Sequence, residues 1–194
     1  MVKGVYHYIG KAWDNPDKDV LQSRLIQWRA SGSIERVEKP LRLDKARMLG
    51  YKAKKGFVVV RVRIIRGGRK RQRRGVKGRK SSNTTIRKTL KMSYQWVAEI
   101  RAARKYKSLE VLNSYWIGKD GKHYYYEVIL VDPTKPEIKN DKDIKWIANG
   151  KNRKRAERGL TSAGKKSRGL KSKRGKSPML KVRPSLRAWK RRGK

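Results

Sequence analysis

The stretch that decides the fold is FVVVRVRII, residues 57–65. Successive side chains of a β-strand point to opposite faces, so a period of two separates this stretch into two sets. One set is wholly apolar and consists of Val58, Val60, Val62 and Ile64. The other set consists of Val59, Arg61, Arg63 and Ile65. The pattern predicts a strand whose apolar face packs on a core while its two arginines face an anion outside the domain.

Upstream of this strand the sequence predicts two helices and a short strand. Asn15 followed by Pro16 is typical of a helix start, with the asparagine as N-cap and the proline in the first turn. That helix is expected to end at Gly32, since glycine readily adopts the conformation that follows a helix. A strand over residues 34–39 and a helix over residues 44–49 complete this part of the chain.

Downstream, the sequence predicts a helix and a β-hairpin. Ser93 is a suitable N-cap, and Trp96 and Ile100 after it have the spacing of one helix face. Two strands over residues 109–117 and 123–131 then flank the turn sequence GKDGK. Together these elements predict one α+β domain.

Positive charge is concentrated in two segments of the chain. The 194 residues include 56 lysines and arginines but only 15 aspartates and glutamates, a net charge of +41. Residues 51–90 hold 16 cations and no acid, and residues 151–194 hold 19 cations and one acid. We therefore expect a body over residues 1–150 with a long basic internal loop over 66–92, followed by an extended basic tail over 151–194. A tail with so few apolar residues is expected to become ordered only on its partner.

This charge density indicates a polyanionic partner, and RNA fits both basic segments. Phosphate backbones are bound by many cations, and the guanidinium of arginine suits phosphate and can also stack on bases. The predicted RNA-binding residues are Arg61, Arg63, Arg66, Arg69, Lys70, Arg71, Arg73, Arg74, Lys77, Arg79, Lys80, Arg153, Lys154, Arg155, Arg158, Lys165, Lys166, Arg168, Lys171, Lys173, Arg174, Arg187, Trp189, Lys190, Arg191 and Arg192. Trp189, an aromatic among cations, is expected either to stack on an unpaired base or to pack against the domain.

Three long stretches carry a resemblance to a known family. They are DKARMLGYKAKKGFVVVRVRIIRGGRKR at 44–71, LEVLNSYWIGKDGKHYYYEVILVDP at 109–133 and RGLTSAGKKSRGL at 158–170. These stretches resemble the archaeal and eukaryotic large-subunit ribosomal protein of the fifteen-e family, in its archaeal form. The resemblance implies a mostly antiparallel sheet flanked by helices, a place in the large subunit of the cytoplasmic ribosome, and contact with ribosomal RNA and neighbouring ribosomal proteins. It does not extend residue by residue to 72–92 or 171–183.

The predicted function is a structural constituent of the large ribosomal subunit that binds and stabilises folded ribosomal RNA through basic extensions. The alternative is a general nucleic-acid chaperone or a DNA-compacting protein, which the charge would suit equally well. Sequence-tolerant wrapping of DNA usually needs repeats or a symmetric dimer, and the sequence indicates neither. No homo-oligomer and no small-molecule substrate are expected.

No catalytic, cofactor-binding or metal-binding residue is predicted, and the protein is not expected to be an enzyme. Residues 159–166, GLTSAGKK, nearly match a phosphate loop, but Lys166 stands where a magnesium-binding Ser or Thr belongs and no strand precedes it. Asp141 and Asp143 are explained more simply as turn residues than as ligands of a nuclease metal. The chain has no cysteine, which excludes a zinc ribbon. Neither a signal peptide nor a membrane-spanning segment is expected.

Overall fold

The computed structural model of the protein describes residues 3–68, 90 and 92–170. Its centre is a four-stranded antiparallel sheet with the strand order β1-β2-β4-β3. The strands are β1 Ile34–Val37, β2 Phe57–Ile65, β3 Glu110–Lys119 and β4 His123–Val131. The predicted strand at 57–65, the hairpin after it and the mostly antiparallel α+β fold are thus confirmed.

Within the described residues, six α-helices accompany the sheet. They are α1 Val5–Asp14, α2 Lys18–Ala30, α3 Leu43–Met48, α4 Tyr94–Lys105, α5 Pro136–Lys139 and α6 Ser162–Ser167. Two 3₁₀ turns, Lys145–Ala148 and Gly150–Asn152, follow α5. Helix α4 begins where the sequence predicts, because the hydroxyl of Ser93 accepts a hydrogen bond from the N–H of Trp96 at 3.3 Å.

Both faces of the sheet are buried. On one face, Val60 of β2 belongs to a core cluster with Ala98 and Ala102 of α4. On the opposite face, the ring of Trp28 from α2 lies 5.1 Å from the ring of Tyr125, centroid to centroid. The apolar face of β2 therefore meets a core, as predicted. The face that carries the arginines also packs against a helix, although the sequence predicted that it points outward.

The N-terminal part of the chain differs from the prediction. Helix α1 occupies a segment in which the sequence analysis placed no element, and the N–H of Asn15 still bonds to the carbonyl of Lys11 at 3.3 Å. The N-cap of α2 is Asp17, whose carboxylate accepts a hydrogen bond from the N–H of Asp19 at 3.0 Å. The prediction of Asn15 as N-cap was wrong because this residue closes α1 instead.

The prediction of an extended tail was wrong for residues 151–170, which fold onto the body. The indole N–H of Trp96 donates a hydrogen bond to the carbonyl of Ala156 at 2.6 Å, in the interior. Helix α6 contacts both α4 and β3. Buried hydrogen bonds of this kind hold the segment on the body although it has little apolar surface to bury. Amino-acid composition alone does not reveal such bonds, which is why the prediction failed. The rest of the predicted tail, 171–194, lies outside the described residues.

Candidate nucleic-acid interface

Strand β2 places its two arginines against α2. Arg61 lies opposite Glu35 of β1 and donates to its carboxylate at 2.5 Å, and its guanidinium carbon lies 5.5 Å from the ring centre of Trp28. Arg63 donates to the main-chain carbonyl of Arg29 at 2.6 Å. These bonds hold both half-buried guanidiniums against the body. The predicted contact of Arg61 and Arg63 with RNA is not tested by these bonds, but the bonds favour a role of both arginines in the fold.

A second carboxylate, Glu127 of β4, lies opposite Arg61 on its other side. It is buried and accepts hydrogen bonds from the main-chain N–H of Leu41 at 3.1 Å and from the hydroxyl of Tyr115. Burial raises the pKa of Glu127, and these donors offset that effect only in part. The positive charge of Arg61 thus lies between two carboxylates of the same sheet.

Arg66, just after β2, lies where the predicted basic loop leaves the body. Its main-chain N–H donates to the carbonyl of Lys122 at 2.9 Å, and its Nη1 donates to the carbonyl of Asp120 at 2.7 Å. Its guanidinium carbon lies 4.9 Å from the ring centre of Tyr124. The residue is nevertheless exposed. It therefore combines a fixed position with an open surface, which suits anion binding.

The two ends of the predicted loop 66–92 meet on the body. The hydroxyl of Tyr94 accepts a hydrogen bond from the N–H of Gly67 and donates one to the carbonyl of the same residue, both at 2.9 Å. The ring of Tyr94 in turn lies 5.0 Å from the ring of Tyr124, which also supports Arg66. The chain thus enters and leaves this basic segment at one place.

The turn between β3 and β4 forms a cleft of about 290 Å³ next to the carbonyls that hold Arg66. Its lining consists of Arg29, Asp120, Gly121, Lys122 and His123. Asp120 fixes the turn, because its carboxylate accepts hydrogen bonds from the N–H of Lys122 and the hydroxyl of Tyr125, at 2.7 and 2.8 Å. Burial raises the pKa of Asp120, but these bonds outweigh it and leave the pKa lowered. The exposed cations Arg29 and Lys122 were not among the predicted residues, although the lysines of GKDGK were a visible signal.

The segment 151–170 divides its cations between the interior and the surface. Arg155 and Arg168 are buried. Nη1 of Arg155 donates to two successive main-chain carbonyls of β3, at 2.5 and 2.7 Å, and Nη1 of Arg168 donates to the carbonyl of Gly159 at 3.1 Å. The cations that stay exposed are Lys151, Arg153, Lys154, Lys165 and Lys166, of which Lys151 was not predicted. Only this second group is open to a partner without a change in the fold.

Arg158 helps to shape the turn that presents two of these exposed cations. It is half-buried, and its Nη1 donates to the carbonyls of Lys151 and Arg153 at 2.9 and 3.1 Å. The N–H of Lys154 donates to the carboxylate of Glu110 at 2.9 Å, and the residue has a φ of 54°. These bonds fix the backbone of Arg153 and Lys154 at the surface.

The other predicted RNA-binding residues lie outside the described residues. In the loop these are Arg69, Lys70, Arg71, Arg73, Arg74, Lys77, Arg79 and Lys80. In the tail they are Lys171, Lys173, Arg174, Arg187, Trp189, Lys190, Arg191 and Arg192. Their contact with RNA stays a prediction.

The carboxylates considered as metal ligands have cationic partners. Asp141 accepts hydrogen bonds from Nζ of Lys54 and Lys52 at 2.5 and 2.9 Å, and Lys52 also pairs with Asp143 at 2.8 Å. Hydrogen bonds from Lys54 and Lys52 hold the pKa of Asp141 well below its usual range. In the part of the chain that the structure describes, no group of three or more His, Cys, Asp or Glu could hold a metal ion.

Among the helices of the described residues, none has the length and apolar character needed to cross a membrane.

The near-match to a phosphate loop at 159–166 is a helix start. Thr161 caps α6, because its hydroxyl accepts a hydrogen bond from the N–H of Gly164 at 3.1 Å, and it donates to the carboxylate of Glu99 at 2.5 Å. Glu99 also accepts a hydrogen bond from the hydroxyl of Ser114 at 2.6 Å. Burial raises the pKa of Glu99. These groups join α4, β3 and α6 in one buried network.

Comparisons with known proteins agree on one family. The family described as Ribosomal L15 (L15e) matches residues 4–189. The chain is 51% identical over 199 residues to the large ribosomal subunit protein eL15 of Methanocella arvoryzae, with both chains fully covered. It is 52% identical over 199 residues to the protein of the same name from Methanospirillum hungatei, again over the full length of both. Matches of this extent, on a fold that agrees with the sequence resemblance, show that the chain belongs to the Ribosomal L15 family.

Proposed function

We propose that this chain is a structural constituent of the large ribosomal subunit and that it binds and stabilises folded ribosomal RNA through its basic segments. Both relatives are named as proteins of that subunit, and shared family supports the same place for this chain. Its setting is the cytoplasmic ribosome, and neighbouring ribosomal proteins are its other partners. The proposal includes that the chain is not an enzyme and forms no homo-oligomer.

The observation that carries the proposal is the excess of positive charge, which the acidic residues of the chain are too few to neutralise. If each of the 15 acids were paired with one of the 56 cations, 41 positive charges would still be left over. Acids of the body already have internal partners: Glu35 pairs with Arg61, and Asp141 pairs with two lysines. Unmatched cations repel one another within a Debye length of about 8 Å at physiological salt. A polyanion such as RNA relieves that repulsion.

The proposed contacts are the cations that the fold leaves exposed. Around the cleft these are Arg29, Arg66 and Lys122. On the segment 151–170 they are Lys151, Arg153, Lys154, Lys165 and Lys166. Arg66 is already held by two carbonyls and by the ring of Tyr124. Its side chain therefore loses little conformational entropy when it binds a phosphate. The basic residues at 69–92 and 171–194 are further proposed contacts.

Crosslinking followed by sequencing of the attached nucleic acid tests the proposal. Cells are irradiated, the chain is purified under denaturing conditions, and the attached fragments are sequenced. Fragments of large-subunit ribosomal RNA are expected. Messenger RNA or chromosomal DNA in their place would contradict the proposal and favour a general nucleic-acid chaperone or DNA-compacting protein. An unirradiated sample is the control for carry-over.

The same sample locates the contact on the protein. Crosslinked peptides that contain Arg66, or Lys165 with Lys166, are expected. Peptides whose crosslinked residue is buried, such as Arg155, are not expected, because its guanidinium donates to two carbonyls inside the body. A crosslink confined to such buried residues would contradict the proposed surface.

A further inference from the structure

The cleft at the turn between β3 and β4 combines an apolar interior with cations around it. Its volume is about 290 Å³, and nearly all of its exposed wall is apolar. The exposed cations Arg29 and Lys122 line it. Arg66 borders it, because Nη1 of Arg66 donates to the carbonyl of Asp120 at 2.7 Å. We call these three cations the basic rim. A phosphate needs cations but no apolar wall, so phosphate contacts alone leave the interior of the cleft unexplained.

The acid in the lining is engaged within the turn. The side chain of Asp120 is 11% exposed, and its carboxylate lies 3.5 Å from Nδ1 of His123. The carboxylate also accepts hydrogen bonds from the N–H of Lys122 and the hydroxyl of Tyr125, at 2.7 and 2.8 Å. These partners compensate its charge inside the turn. The basic rim therefore determines which sign of charge the cleft attracts.

Gly121 leaves the lining of the cleft without a side chain at a position where packing does not require glycine. Its φ lies outside the left-handed region, and among the described residues no atom lies within 4 Å of a β-carbon built at this position. Gly56 shows the opposite case, because its φ is 95° and a β-carbon there would lie 2.7 Å from Cγ1 of Ile138. The missing side chain at position 121 thus keeps the cleft open without serving the core.

We propose that this cleft takes the base of one unpaired nucleotide of the bound RNA, with the phosphate of that nucleotide against the basic rim. Proteins that recognise RNA often take up single bases and stack them on aromatic rings or on the planes of guanidiniums. The imidazole of His123 and the guanidinium of Arg29 bring such groups to the lining. A volume at the lower limit of small-ligand sites, about 300 Å³, admits one base but not a base pair with its two backbones.

Other occupants fit the cleft less well. A paired segment of RNA keeps its bases inside the helix and offers only phosphates, which have no use for an apolar wall. A basic protein segment would bring cations to a rim that is already basic, and the two would repel each other. A neutral apolar side chain would fill the interior but would leave the rim without anions. An unpaired nucleotide supplies both the flat apolar surface and the negative charge.

Chemical probing of the bound RNA tests the inference, which rests on the proposed function because it names the part of the RNA that enters the cleft. Complexes are formed between a large-subunit ribosomal RNA transcript and the full chain, as wild type or as Gly121→Leu. Dimethyl sulfate and a carbodiimide modify the base-pairing edges of unpaired bases, and hydroxyl radicals cleave exposed backbone. Gly4→Leu is the matched control, because a β-carbon at this glycine also meets no described atom within 4 Å and Gly4 does not line the cleft.

The wild type is expected to protect one unpaired base whose protection depends on position 121. The base-pairing edge points away from the sugar, so it enters the cleft first and is shielded there. Gly121→Leu narrows the cleft and should restore the reactivity of that base several-fold, while the backbone around it stays protected from hydroxyl radicals. Gly4→Leu should leave the base protected. A bound transcript in which no unpaired base is protected, or in which a folded Gly121→Leu protects the same bases as the wild type, would overturn the inference.

A change in the RNA makes the test independent of how the variant folds. Each unpaired base that the wild type protects is replaced in turn by an abasic site in a synthetic fragment, which removes the base and keeps its phosphate. Loss of the inserted base should lower the affinity of the wild type about tenfold and leave the slope of log K against log salt unchanged, because no phosphate contact is lost. Equal affinity for every abasic fragment would overturn the inference and leave the proposed function in place. Failure of the wild type to bind the ribosomal RNA transcript would instead contradict the proposed function.

Discussion

Strand β2 and the segment 151–170 are both rich in arginine, but they are held in the body by different forces. β2 is an apolar strand in the middle of the sheet, and Val60 and Val62 are fully buried. Its arginines add polar bonds to an element that apolar burial already fixes. The segment 151–170 has few apolar residues and is held by Trp96 and Arg155, through bonds to main-chain carbonyls. Two segments that are both rich in arginine therefore depend on their arginines to different degrees.

The largest expected effect on stability is that of a truncation within the predicted tail. Deletion of residues 151–194 removes the carbonyl that accepts from the indole of Trp96 and the hydroxyl of Thr161 that donates to Glu99, and so takes hydrogen-bond partners from buried polar groups. We expect this protein to lose its cooperative thermal unfolding, whereas deletion of residues 171–194 alone should preserve it. Circular dichroism during heating distinguishes the two truncations. A cooperative transition in the shorter protein, at the temperature of the longer one, would show that 151–170 is not part of the body.

A single substitution within the segment has the next largest effect. Arg155→Ala leaves two carbonyls of β3 without their donor and removes a guanidinium whose carbon lies 4.9 Å from the ring centre of Trp146. We expect a loss of about 3 kcal/mol in the free energy of unfolding. Arg153→Ala, at an exposed neighbour, should change it by less than about 0.5 kcal/mol. Urea denaturation measures both, and equal losses would contradict the assigned roles.

The sequence was sufficient for the parts of the fold that apolar periodicity determines. The alternation in FVVVRVRII predicted β2 to the residue, and Ser93 predicted the start of α4. The sequence was insufficient where hydrogen bonds of polar groups determine whether a segment folds onto the body. Nothing in the composition of 151–170 indicates that Arg155 bonds inside the body while Lys165 stays at the surface, because both are cations in a basic run. The exposed Arg29 was overlooked because only the turn between β3 and β4 brings it into the cleft.

A smaller effect concerns pH. Burial raises the pKa of Glu99 and of Glu127 above their usual value of 4.5. Between that value and the pKa in the folded state, the folded protein binds more protons than the unfolded one, so stability should fall as the pH rises. We expect Glu99→Gln to make this fall less steep. Glu137→Gln, at an exposed acid, is the control. Denaturation midpoints from pH 4.5 to pH 8 provide the measurement, and an unchanged slope in Glu99→Gln would contradict the assignment.

The central claim is that exposed cations bind RNA while the arginines of β2 serve the fold, and the salt dependence of RNA binding tests it most directly. Affinity for a large-subunit ribosomal RNA transcript is measured over a range of salt for the wild type and two double variants. Lys165→Ala with Lys166→Ala should reduce the slope of log K against log salt by about 1.4 to 1.8, two contacts' worth, without loss of stability. Arg61→Ala with Arg63→Ala should cost about 2 kcal/mol of stability and leave the slope unchanged. The reverse pattern, a reduced slope for the arginine pair and none for the lysine pair, would contradict the claim.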